Sequence, residues 1–180
     1  EPASTRTAGT FDPNCMNNNT FDACLFWKNP VAHKGSPFSS LFRIGQDASA
    51  VQTFGVKLKN QTNPNSLRNS SIRVLASTGT TATPQGGNWR FPYQTDSNHH
   101  IAQLMAYFWL TLQESEMMQR AGQFFSRGKN IAVYAYTDQV QDNAYWDGGS
   151  EQIVMGFASG SGDQPAHEMA MSSEIYLHEM

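Results

Sequence analysis

The side chains with the most chemistry to offer stand at the end of the chain, where His178 is followed directly by Glu179. On a helical turn this pair is the first half of the pattern H-E-x-x-H. There, two histidines four positions apart hold one zinc ion, and the glutamate takes the proton of the metal-bound water. His178 is therefore the candidate metal ligand and Glu179 the candidate catalytic base. The second histidine of the pattern would fall two positions beyond Met180, so the chain carries half of the motif and is expected to be a fragment ending inside it. A second pair occurs at His167-Glu168. If one unbroken helix ran from Pro165, then His167, Met171, Glu174 and His178 would share a face, but that line spans three turns, about 16 Å, too far for one ion.

The segments before this pair must position it. Residues 97 to 122 give the clearest helix: Ile101, Leu104, Met105, Phe108 and Leu112 repeat at helical spacing, Asp96 or Ser97 can cap the start, and Gly122 fits the stop. This predicts a helix that buries one apolar face. His99 and His100 fall in its first turn and read as a solvated helix start, and Tyr107 and Trp109 read as packing residues. Residues 130 to 136 form a β-prone run that is apolar on both faces, hence an internal strand. Asn143-Ala144-Tyr145-Trp146 then leads through Asp147-Gly148-Gly149 into a second apolar run from Gln152 to Phe157, which predicts a hairpin. Small residues from 158 to 163 carry the chain towards the last helix. Earlier, residues 54–59 and 71–76 both alternate apolar and polar, which predicts a strand pair. The expected class is α+β: a β-rich N-terminal portion, a long packing helix, a β-hairpin with an edge strand, and the start of a zinc-binding helix.

In the order of these elements, and specifically at Asn143 to Trp146 and His178-Glu179, residues 97 to 180 resemble the N-terminal half of thermolysin-like (gluzincin) zinc metallopeptidases. The resemblance implies that 143–146 is the edge strand beside the substrate cleft. Asn143 would hydrogen-bond the peptide, Ala144 would offer its backbone, Tyr145 would border the cleft, and Trp146 would be structural. It also implies Zn2+ as cofactor, His178 as its first ligand, Glu179 as general base, and a second histidine and an acidic ligand downstream. Held as an added strand beside a polarised water, a peptide is set up for hydrolysis. The implied function is a secreted zinc endopeptidase acting on peptide or protein substrates, with the 180-residue chain inactive alone.

Composition bounds this reading. Charged residues make up only 15% of the chain against 39% hydrophobic, and Asn, Ser, Thr, Gln and Gly fill the difference, a surface suited to an extracellular or periplasmic protein. The 12 Lys and Arg are scattered and the net charge is -3, which argues against nucleic acid and anionic membranes as partners. No run of about 18 apolar residues exists, so no membrane span is expected. The two cysteines, Cys15 and Cys24, predict a disulfide in an oxidising compartment. Residues 1 to 36 read as an irregular N-terminal extension around that staple, laying Phe11, Phe21, Leu25, Phe26 and Trp27 on the core, and residues 37 to 180 as an incomplete β-rich lobe. Asp138, Asp142 and Asp147 near turns could supply oxygens to Ca2+. Sequons begin at Asn18, Asn60 and Asn69. The competing reading is a secreted, non-catalytic β-rich binding or adhesion module.

Overall fold

A computed structural model describes residues 10–11, 15–17, 19–26, 53–91, 96–121, 130–158, 167–171 and 175. Within them the chain is α+β. Strands β1 (Thr10–Phe11), β2 (Ala23–Phe26) and β3 (Thr53–Val56) make an antiparallel sheet in the order β1-β3-β2. A second, mixed sheet has the order β4-β5-β7-β6, built from β4 (Ile72–Leu75), β5 (Ile131–Tyr134), β6 (Ala144–Asp147) and β7 (Gln152–Met155). One long helix, α1 (His100–Ala121), lies between β4 and β5 in sequence. A two-stranded ribbon pairs β8 (Phe157–Ala158) with β9 (His167–Glu168).

The internal strand and the hairpin are where the sequence places them. β5 is parallel to both of its neighbours, and Ile131, Ala132 and Val133 are buried in succession along it, as a strand covered on both faces requires. The expected pairing of 54–59 with 71–76 does not form. β3 instead pairs with β1 and β2, and β4 pairs parallel with β5. Alternation marks a strand and its buried face but not its partner, and a parallel pair needs a long crossover, here filled by α1.

α1 is buried on every side over its first turns. Each residue from Ile101 to Phe108 is buried, including Ala102, Gln103 and Ala106 off the predicted apolar stripe. The helix packs against β4, β2 and a 3-10 turn at Met169–Met171, so it fills the space between the two sheets rather than covering one of them. Gln103 is tolerated there because its amide is satisfied: Oε1 accepts from the Ala82 N–H at 2.8 Å, and Nε2 donates to the Thr80 and Asn98 carbonyls at 3.0 and 3.2 Å.

The helix begins later than its pattern suggests. The Gln103 N–H donates to the His99 carbonyl at 3.1 Å, which makes His99 the cap residue, in the left-handed region at φ 58. Asp96 does act as a cap, through its side chain: Oδ2 accepts the Ile101 N–H at 2.7 Å.

The N-terminal segment is less irregular than expected. Its described part supplies β1 and β2, with Ala23, Leu25 and Phe26 fully buried in the core. The predicted disulfide is present, joining Cys15 in a 3-10 turn to Cys24 in β2. The Phe21 ring lies where a side chain on Gly55 would stand, so that position admits only glycine. Arg90 fastens the segment, donating to the Met16 and Phe21 carbonyls at 3.3 and 2.7 Å and to Asn19 Oδ1 at 3.0 Å. No helix among the described residues is long and apolar enough to cross a membrane.

Candidate functional site

β6 is the last strand of the mixed sheet, and among the described residues no strand pairs with its outer side. Its register decides which backbone groups face that side. The Gly156 N–H donates to the Asn143 carbonyl at 3.1 Å, so residues 143 and 156 are a hydrogen-bonded pair. Bonded and non-bonded pairs alternate along an antiparallel ladder, and Tyr145 is opposite Val154 and Asp147 opposite Gln152. Ala144 and Trp146 therefore turn their N–H and C=O groups outward. These are the groups with which an extended peptide can be added as a further strand.

Side-chain burial along the strand does not follow that alternation. Ala144 is buried against the core, opposite Met155, while Asn143 is exposed at the head of the strand. Tyr145 and Trp146 are 37% and 43% exposed, the two large apolar side chains of the described residues that stand furthest into solvent. Trp146 is thus largely exposed although it falls on the same face of the strand as the buried Ala144. Its indole edge lies above Gly148, in the loop that returns to β7.

Both ends of β6 are fixed by local bonding. At its C-terminal end the Asp147 carboxylate accepts from the Ser150 hydroxyl and from the Gly149 and Ser150 N–H groups, at 2.9 and 3.4 Å for the two N–H donors. The Ser150 hydroxyl, followed by the two N–H groups, holds the Asp147 carboxyl below its ordinary range. At the other end Gly156 ties three segments together. Its N–H bonds Asn143, its carbonyl accepts the Met169 N–H at 3.2 Å, and a side chain there would stand 2.7 Å from the Val140 carbonyl carbon and 2.9 Å from the Asn143 oxygen. Phe157 adds bonds to Val140 and Asp142 at 3.0 and 2.7 Å. The turn before β6 is thereby clamped to the chain that leads towards residue 175.

His167 and Glu168 lie in β9, paired with Ala158 and Phe157, and Met171 closes the 3-10 turn after them. An unbroken helix from Pro165 is excluded, and with it a single helical line from His167 to His178. Residue Ile175 has helical backbone and packs against the core, in the segment where the final helix is expected. His178 and Glu179 lie outside the described residues, as do Trp27 and Asn18.

Among the described residues no group of three or more His, Cys, Asp or Glu side chains could hold a metal ion. His178 alone offers one ligand, which does not make a zinc site. Asp138, Asp142 and Asp147 do not gather: Asp138 accepts from Thr78 and Gln139, Asp142 from Gln141, and Asp147 from its own turn.

The histidines at the start of α1 are held and not merely solvated. His99 stacks on Tyr136 with ring centroids 3.6 Å apart. His100 sets Nδ1 3.4 Å from Asp96 Oδ1 and Nε2 3.1 Å from Thr80 Oγ1. The spacing of Asp96 and His100, four residues, is a signal for the first of these contacts; Thr80, in a distant loop, leaves none. No protein-family model matches this chain, and no curated protein and no solved structure matches it.

Proposed function

We propose that this chain is the N-terminal part of a secreted, thermolysin-like zinc endopeptidase, with β6 as the strand that receives the substrate. The observation that carries the reading is the edge of β6, unpaired among the described residues, where Ala144 and Trp146 face their backbone groups outward and Asn143 stands exposed at the head of the strand. A peptide laid antiparallel or parallel to that edge gains main-chain hydrogen bonds from Ala144, a side-chain amide from Asn143 and an aromatic border from Tyr145. Gly156 supports the reading too, because it ties the start of this strand to the segment that runs towards His178 and Glu179. Glu179 is the general base, and His178 is one metal ligand. A catalytic zinc needs three protein ligands and an open position, so the reading requires two more from residues after Met180.

The test uses a chain extended through those ligands. It should contain zinc and cleave an unstructured protein, and Glu179→Gln should keep the zinc and lose activity by roughly 10² to 10⁴. Ala144→Pro should raise KM with the fold retained by circular dichroism, because the N–H it deletes faces outward and not towards β7. An extended chain without zinc or cleavage would leave the non-catalytic binding module as the reading, and an unchanged KM in Ala144→Pro would remove β6 from the substrate site.

A further inference from the structure

We propose that Asn60 carries an N-linked oligosaccharide and that the fold excludes the same modification at Asn69. Both residues head sequons, Asn60-Gln61-Thr62 and Asn69-Ser70-Ser71, and the sequence alone does not separate them. The structure does.

Asn60 is exposed, in the left-handed region at φ 62, directly after Lys57 to Lys59 leave β3. No described hydrogen bond engages its side-chain amide. The loop that it opens holds itself together without that amide. The Thr62 N–H bonds the Arg68 carbonyl at 3.0 Å, Gln61 Nε2 bonds the Ser66 carbonyl at 3.0 Å, and the Lys59 carbonyl is taken by the Tyr107 hydroxyl at 2.9 Å. A bulky, hydrophilic substituent on Asn60 therefore displaces nothing.

Asn69 is the opposite case. It is 3% exposed, and every hydrogen-bonding group of its side chain is used. Oδ1 accepts from the Ser71 and Ile72 N–H groups, both at 2.8 Å, and Nδ2 donates to Thr111 Oγ1 at 3.5 Å and Glu114 Oε2 at 3.3 Å. These two partners lie on α1, so the amide nitrogen is part of the contact by which the β4 segment docks on the helix. A sugar on Nδ2 would have to occupy the place of Thr111 and Glu114.

The chemistry is a transfer from a lipid-diphosphate-linked oligosaccharide. The amide nitrogen of Asn60 forms a bond to the anomeric carbon of the sugar and gives up one proton, while the bond from that carbon to the lipid diphosphate breaks and the diphosphate leaves with its electron pair. The reaction acts on the chain before it folds. Asn69 is then selected by folding, because a chain modified there cannot dock β4 on α1. The inference shares with the proposed function only the secretory compartment, which the disulfide of Cys15 and Cys24 also suits. It stands whether or not His178 binds zinc.

The experiment is secretion of the chain from a eukaryotic host behind a cleavable leader, followed by enzymatic removal of N-glycans in heavy-oxygen water and peptide mass mapping of the secreted and the retained pools. Asn60 should be labelled in the secreted protein. Asn60→Gln and Thr62→Ala should each lower the intact mass by one glycan and leave secretion unchanged. Labelled Asn69 should be confined to the retained pool or be absent. An unlabelled Asn60, or a secreted, folded protein labelled at Asn69, would overturn the proposal.

Discussion

At the scale of single residues, the local bonds around β6 and the start of α1 make sharp predictions. The Asp147 carboxyl is held below its ordinary range first by the Ser150 hydroxyl, so Ser150→Ala should raise it, leaving the smaller lowering due to the Gly149 and Ser150 N–H groups. Carbon-detected NMR titration reads this directly. Because the folded value is depressed, the ionised carboxylate supports the hairpin loop above the ordinary carboxylate range, and that support is lost as the pH falls. His99 is a second case. A solvated helix start would tolerate alanine, whereas the stacking on Tyr136 and the positive φ make His99→Ala cost about 1–2 kcal/mol in urea melts. His99→Asn loses the same stacking but accepts the left-handed backbone, so it should cost less. Neither feature is legible in the sequence. The two adjacent histidines have no signal for the backbone conformation of the first, and Tyr136 lies far along the chain, just past the end of β5.

Elements were legible to the degree that their pattern is local. The stripe from Ile101 to Leu112 announces α1, and the run from 130 to 136 announces β5. What lies over the rest of α1 is decided by other segments, which is why buried Ala102, Gln103 and Ala106 leave no mark on the periodicity. The hairpin of β6 and β7 is legible from its turn residues, but the importance of Gly156 is not, since a glycine after an apolar run gives no hint of the carbonyls that crowd it. Gly156→Ala should push the Val140 and Asn143 carbonyls away and cost about 2–4 kcal/mol. Amide exchange should quicken together at Asp142, residue 156, Phe157 and Met169, the four donors around that point. Normal exchange at Met169 in the variant would show that the terminal segment is not tied there.

For the molecule as a whole, the buried Tyr107 joins α1 to the chain just after β3 by donating to the Lys59 carbonyl. Burial, with the nearby Glu114 adding to it and a hydrogen bond with Thr111 opposing it, pushes its phenol up to about 12. The folded state therefore holds this proton more tightly than the unfolded chain, whose tyrosines titrate near 10. Its contribution to stability is complete below about pH 10 and is lost as the pH rises through about 12. In denaturant melts across that window, Tyr107→Phe should start less stable by the lost hydrogen bond, and its stability should fall less steeply than that of the parent chain. Parallel slopes would mean that the phenol is not the group that titrates.

The fastening of the N-terminal segment bears on the order in which the chain can fold as it is made. β2 needs β3 on one side and Trp89, bridged to Ala23, on the other, so the first sheet can close once about half the chain has emerged. β4 is complete well before that point, yet both its helix and its parallel partner β5 arrive later, and such distant pairings form slowly. During synthesis β4 therefore lacks both its helix and its parallel partner until residues 100 to 134 have been made.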